Sequence, residues 1–198
     1  NQISLDNKHL SSKIKVIPNG VDTFNEETKI IKNNKITYLG GSSDRKGYKE
    51  FKKLFLDGYF KGYELILLGY YNEFEENFWK NQLDVEFVGI VENPIDFMIS
   101  AQFTFYYYIK EGLPNVLLEA INLKRRLIIN KKALIFKSEL NYSQYIIISK
   151  NILSEEKVIE PLKSPSAFKD TYGINNIALT YKNIYNDFYT IWIKLIGI

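Results

Sequence analysis

Between Lys35 and Ile148, short apolar runs alternate with stretches whose apolar residues recur at helical spacing. The strand-like runs are Lys35–Leu39, Tyr63–Leu68, Val85–Val88, Phe103–Ile109, Leu127–Ile129 and Tyr145–Ile148. Phe51, Leu54, Phe55 and Tyr59 mark the first helical stretch. Glu73–Leu83, Pro94–Ala101 and Pro114–Leu123 supply the next three. Tyr63–Leu68 is almost continuously apolar, as a strand covered on both faces must be. Short links between strands and helices leave little choice of topology. Each strand–helix–strand unit closes as a right-handed crossover, and the strands run parallel. The expectation is an α/β, single Rossmann-like domain: a parallel sheet of about six strands with helices on both faces.

The flanks are less regular. Residues 1–12 read as a polar tail or linker. Lys13–Ile17 has a short strand pattern, and Asn19-Gly20 after Pro18 signals a turn. Phe24–Asn34 is charged and aperiodic, so a loop is expected. Asn151–Lys169 carries Pro161 and Pro165 and is expected to be irregular. From Ile174 onward Ile177, Ala178, Tyr181, Ile184, Tyr185, Phe188, Ile191, Trp192 and Leu195 keep a helical period. A helix of that length runs ~30 Å. The expected boundaries are therefore 1–12 for the tail, 13–173 for the domain and 174–198 for a helix packing on it. Asn1 opens directly into ordinary sequence, so the chain is expected to be a piece of a longer protein.

Composition removes several function classes. The chain has no cysteine, which excludes a disulfide scaffold and a thiolate metal site and suits a reducing compartment. Its one histidine, His9, lies in the polar tail, so neither a histidine metal site nor a Ser-His-Asp triad is expected. A net charge of +3 is too small for an extended nucleic-acid surface. Lys124, Arg125 and Arg126, with Lys131 and Lys132 nearby, form the one basic cluster, which is compatible with contact to an anionic membrane. No apolar run reaches the ~18 residues of a membrane span.

In an open parallel sheet, ligands bind outside the carboxyl ends of the strands. The loop 40–47 and the loop 110–113 both follow strands and should share that edge. The second loop leads into Glu111-Gly-Leu-Pro-Asn-Val-Leu-Leu-Glu119-Ala. Pro114 suits the first turn of a helix. The N–H groups of Asn115, Val116 and Leu117 would then point out of the helix start and, with its dipole, attract an anion. Gly112 allows close backbone approach. Glu119 lies four residues after Asn115, on nearly the same helix face, within reach of a ribose beside a held phosphate. Glu111 could accept hydrogen bonds from sugar hydroxyls. Across the crevice Arg45 and Lys46 could neutralise a diphosphate, with Gly40 and Gly41 in a loop able to approach it. Each residue alone has an ordinary explanation: Glu119 as an exposed helix residue, Arg45-Lys46 as a solvated turn, Gly40-Gly41 as a simple turn, and Tyr106–Tyr108 as strand packing. Together they outline the edge of a nucleotide-sugar site.

Four blocks, in order, resemble the C-terminal half of retaining glycosyltransferases of the GT-B fold, grouped as glycosyltransferase family 4. They are Val16-Ile17-Pro18-Asn19-Gly20-Val21-Asp22, then Tyr38-Leu39-Gly40-Gly41 with Arg45-Lys46-Gly47, then Val85-Glu86-Phe87-Val88-Gly89, then the Glu-x7-Glu block from Glu111 to Glu119. The likeness is good over residues 13 to 130 and looser for the closing helix. The resemblance implies one half of a GT-B fold, with the N-terminal GT-B domain as partner. It implies a nucleoside-diphosphate sugar donor, foremost a UDP-sugar, and a saccharide or lipid-linked acceptor. It implies a retaining hexosyltransferase in polysaccharide or glycoconjugate biosynthesis, with no metal and no nucleic acid involved, located in the cytoplasm or at the inner face of the membrane. Lys46 and Glu111 would be the catalytic pair. Arg45, Lys46 and Gly41 would face the diphosphate, while Gly112, Leu113, Asn115 and Val116 would cradle phosphate and Glu119 would hold the ribose. The loop after Gly89 would lie near the base. This chain alone would bind donor weakly and transfer nothing.

The chain departs from the pattern where Gly41 replaces an arginine, Tyr107-Tyr108 a Pro-Ser, and Lys124–Arg126 a Gly-x-Pro turn. A non-catalytic sugar-nucleotide-binding or interaction module stays open as an alternative. So do a nucleotide-sugar epimerase, which the single histidine disfavours, and a flavodoxin-like domain.

Overall fold

The computed structural model describes residues 17–21, 32–148, 159 and 165–196. The expected tail, most of the strand at 13–17, most of the loop at 24–34 and the stretch 151–158 lie outside the described residues, as do His9 and Asp22.

The strands are β1 (Lys35–Tyr38), β2 (Glu64–Leu68), β3 (Val85–Gly89), β4 (Phe103–Tyr106), β5 (Arg126–Ile129) and β6 (Tyr145–Ile147). They form one parallel sheet in the order β3-β2-β1-β4-β5-β6. The helices are α1 (Tyr48–Leu56), α2 (Glu73–Lys80), α3 (Ile95–Ser100), α4 (Asn115–Asn122), α5 (Lys137–Leu140), α6 (Pro165–Tyr172) and α7 (Ile174–Ile196). The expected α/β class and parallel order hold. Because the chain builds outward from β1 to β3 and then restarts at β4 on the other side, β1 and β4 are neighbours. Their carboxyl ends form the switch point at which such sheets bind ligands.

Two packed layers sandwich the sheet. On one face Phe51 of α1 is fully buried, stacked on Tyr38 of β1 at 4.2 Å and edge-on to Phe105 of β4 at 5.0 Å. Trp79 of α2 joins this aromatic core and donates its indole N–H to the Tyr48 hydroxyl at 2.9 Å, which in turn donates to Glu75. On the other face Leu117, Leu118 and Ile121 of α4 pack with Leu127 and Ile129 of β5 and with Phe168 of α6. The period-2 alternation of β4 decides what the site receives. Phe103 and Phe105 go to the α1 layer, and Tyr106 goes to the α4 layer.

Three expectations need correction. Pro165–Lys169 is helical rather than irregular: it opens α6. Proline suits a first helical turn, and Phe168 and Tyr172 supply the buried stripe, with Tyr142 against Phe168 at 5.5 Å. β4 stops at Tyr106, three residues short of the expected end. There the Tyr108 N–H and carbonyl bind the Asn130 side chain, at 3.1 and 2.8 Å, instead of a neighbouring strand. Finally, Arg125 does not belong to the basic surface cluster, whereas Lys124, Lys131 and Lys132 are exposed. Arg125 is buried. It donates to the carbonyls of Leu123 at 2.9 Å and Ile99 at 3.2 Å, and burial lowers its pKa. Lys124 takes φ of 55°, the position a glycine usually fills after a helix. The Lys124 and Arg125 N–H groups close the α4 end onto Ile121 and Ala120.

Candidate functional site

The loop from β1 to α1 is shaped by backbone contacts. Gly41 has φ of +55°, and a Cβ there would fall 2.3 Å from the Tyr70 carbonyl oxygen. Its N–H donates to the Leu68 carbonyl at 3.1 Å, and the Ser42 N–H donates to that of Tyr70 at 2.8 Å. Gly41 is thus a packing glycine, and these two amides are committed to the loop after β2. Beyond it, Asp44–Lys46 forms a 3-10 turn that ends at Gly47 with φ of 75°. A Cβ on Gly47 would lie 2.6 Å from Cβ of Tyr107, so the β1 and β4 loops touch at this point. The Tyr38 hydroxyl donates to the Lys46 carbonyl at 3.2 Å and ties the turn to the strand beneath.

From this turn the Lys46 ammonium reaches across the switch point to Oε2 of Glu111 at 2.8 Å. The second carboxylate oxygen, Oε1, accepts from the Tyr106 hydroxyl at 2.9 Å. Tyr106 is buried at the end of β4. Burial first, then the charge of Glu111, raises its pKa, so at neutral pH it is a donor. Arg45 is exposed on the same turn and makes no ion pair among the described residues. Asp44 is taken by Lys49 at 2.6 Å.

The helix start differs in one detail from the sequence reading. Pro114 has φ −81° and ψ 136°, so it precedes α4 rather than opening its first turn. Its carbonyl accepts from Leu117 at 3.2 Å and Leu118 at 3.3 Å. Leu117 is therefore bonded, and the N–H groups without an intrahelical acceptor are those of Asn115 and Val116. Gly112 is exposed, and a Cβ on it would meet nothing within 4 Å, so packing within the chain does not require a glycine there. Leu113 and Val116 are half-buried.

Glu119 lies one turn into α4, half-buried in a cavity of about 240 Å³ shared with Gly20, Val21, Pro94, Ile95, Asn122 and Ile174. Its carboxylate has no hydrogen bond or ion pair among the described residues. Burial raises its pKa. Neither Lys46 nor Glu111 lines that cavity, so the two glutamates occupy separate parts of the edge.

Two residues of this region were not singled out by their sequence signals. Asn19 reads as half of a turn dipeptide. Its side-chain amide donates to the Leu113 carbonyl at 3.1 Å and to the Asn115 side chain at 2.9 Å, and so fastens the incoming chain to the start of α4. Tyr106 reads as strand packing, which its ring does fulfil. Only its position as the last residue of β4, ahead of Glu111, hints at the hydroxyl's reach.

No protein-family model matches the sequence, and no curated protein matches it. Solved structures do. AviGT4, a glycosyltransferase involved in avilamycin A biosynthesis, superposes with a TM-score of 0.62 at 18% identity, covering 86% of this chain and 57% of that one. HepE of Anabaena in complex with UDP gives 0.64 at 13% identity, over 87% of this chain and 57% of that one. WaaG, a glycosyltransferase involved in lipopolysaccharide biosynthesis, gives 0.53 at 17%, over 90% and 51%. The chain has the fold of one half of a GT-B glycosyltransferase and spans a little over half the length of these proteins.

Proposed function

We propose that this chain is the donor-binding half of a glycosyltransferase that uses a nucleoside-diphosphate sugar. The observation that carries the reading is the Lys46–Glu111 pair spanning the β1/β4 switch point, beside a helix start with two N–H groups to offer. In this reading Lys46 and Arg45 neutralise the donor diphosphate from one side. The Asn115 and Val116 amides and the α4 dipole do so from the other. The bond between the anomeric carbon and the diphosphate breaks as an acceptor oxygen bonds that carbon and gives up its proton to solvent. The diphosphate departs with an added negative charge, which fixed cations and amides stabilise without reorganising. Glu111 accepts hydrogen bonds from the transferred sugar. Glu119, in its own cavity, accepts from the ribose hydroxyls.

UDP is the base carrier we favour, since HepE, with this fold, is described in complex with UDP. Retention of anomeric configuration, membership of glycosyltransferase family 4, hexosyl transfer, and a saccharide or lipid-linked acceptor in polysaccharide or glycoconjugate assembly complete the proposal. We place the acceptor on a second, N-terminal GT-B domain, and the protein in the cytoplasm, at the inner membrane face. Among the described residues no helix is long and apolar enough to cross a membrane.

The test is to titrate UDP and GDP into the chain and into Lys46→Ala and Glu119→Ala. Binding of UDP that weakens at least about tenfold in each variant supports the site, since a lost charge-assisted hydrogen bond costs roughly 1.5–3 kcal/mol. Unchanged affinity in both removes it. A second reading, a non-catalytic sugar-nucleotide-binding module, draws on Gly41 and Ser42, whose amides are already bonded to Leu68 and Tyr70. It predicts donor binding with no turnover in the whole protein.

A further inference from the structure

The Glu111 carboxylate sits on an irregular stretch between β4 and α4, where nothing in the backbone pattern fixes a side chain. Yet both its oxygens are held, each from a different element. Lys46 of the β1 loop takes Oε2, and Tyr106 of β4 takes Oε1. Tyr106 is 3% exposed and packs its ring in the α4 layer against Phe136 at 6.4 Å. Phenylalanine would serve that packing equally well. A hydroxyl buried there costs stability unless it is bonded, and its bond goes to Glu111. A strand end is the most rigid place from which to aim a loop carboxylate.

We propose that Tyr106 is the positioning residue of this site: its hydroxyl fixes the Glu111 carboxylate and, through it, the Lys46 ammonium at the mouth of the crevice. Tyr106 acts through Glu111 and touches no ligand itself. Its use in glycosyl transfer rests on the donor-site reading above, but the three-residue linkage can be tested without nucleotide. Raised above its usual range, the phenol stays a donor at neutral and mildly alkaline pH.

The experiment is acetylation of Lys46, read residue by residue by mass spectrometry of the whole chain. Wild type, Tyr106→Phe, Glu111→Gln and the double variant are compared, with Lys35 as an internal control on the integrity of the fold. Lys35 pairs with Glu64 at the opposite end of β1. The expected result is Lys46 labelling about three- to tenfold faster in Tyr106→Phe, of the order of one lost hydrogen bond. Adding Tyr106→Phe to Glu111→Gln should change nothing further, because the tyrosine then has no carboxylate to hold. Lys46 labelling that is the same in Tyr106→Phe as in wild type overturns the proposal. So does a Tyr106→Phe effect of equal size in the Glu111→Gln background, which would mark a merely structural role. UDP is added in a parallel arm. If it fails to protect Lys46 in the wild-type chain while both labelling results hold, the donor-site reading falls and the positioning by Tyr106 stands.

Discussion

The ammonium of Lys46 lies 2.8 Å from the carboxylate of Glu111, 65 residues further along the chain. One comes from the loop after β1 and the other from the loop after β4. They meet because the strand order makes β1 and β4 neighbours. The pair is half-exposed, so its own contribution to stability is small. In the proposed donor site its weight lies in what the two groups do when a diphosphate competes for the lysine.

That competition has a sign. Glu111→Gln removes a negative charge beside the proposed diphosphate and frees Lys46. UDP should therefore bind tighter, by about three- to tenfold at low salt, in line with a partly exposed charge pair. UDP-glucose should gain less than UDP, because Glu111 is also the proposed sugar contact. Calorimetric titration of both ligands measures the two changes. Weaker UDP binding in Glu111→Gln would mean that holding Lys46 in place outweighs the charge the carboxylate sets against the diphosphate.

Glu119 ties stability to pH. Burial raises its pKa in the folded chain above the ordinary value of 4.5. Over the interval between those two values the folded state binds more protons than the unfolded one. The contribution of Glu119 to stability therefore falls as pH rises from about 4.5 through the raised value. Glu119→Gln removes this loss. Its melting temperature should exceed that of wild type at pH 7 and match it near pH 4. The same variant should bind UDP worse. Thermal melts at the two pH values decide the point.

At the end of α4, Lys124 holds φ of 55° where the helix closes on Ile121 and Ala120. A left-handed lysine is strained by roughly 1–2 kcal/mol, part of which glycine gives back as chain entropy. Lys124→Gly should stabilise the chain by about 0.5–1 kcal/mol, read from urea unfolding. No gain would mean that the Lys124 side chain compensates the strain.

Gly41 separates packing from ligand binding. With φ of +55° and the Tyr70 carbonyl 2.3 Å from a built Cβ, alanine cannot fit without moving the loop after β2. Gly41→Ala should cost about 2–4 kcal/mol and lower the melting temperature by roughly 5–15 °C. A normal melting temperature would show that the loop yields easily.

Much of the fold was legible in the sequence, because it rests on periodicity. The apolar run before Gly69 and the stripe through Phe51 and Trp79 can be satisfied only by burial between layers. What could not be read is instructive. Pro165 reads as a breaker, although the same residue opens a helix when Phe168 and Tyr172 have a surface to bury. Arg125 reads as one of three basic neighbours, since nothing in Lys-Arg-Arg says that the middle side chain turns inward to carbonyls of Ile99 and Leu123. Within the candidate site, Glu111, Lys46 and Glu119 stood out by charge beside glycine and proline. Asn19 and Tyr106 did not, because their roles depend on contacts across 96 residues for Asn19 with Asn115 and on strand parity for Tyr106.

The central claim is that an anionic nucleotide binds between the Lys46 turn and the start of α4. Its most direct measurement is a UDP titration of the isotope-labelled chain followed by amide NMR. The account predicts the largest saturable shifts at the Asn115 and Val116 amides and in the 44–47 turn, with Gly41 and Ser42 moving less because their N–H groups are already bonded. Still signals at Asn115 and Val116, with saturable shifts instead around the α1–α2 groove of Tyr48, Lys52 and Glu75, would contradict it.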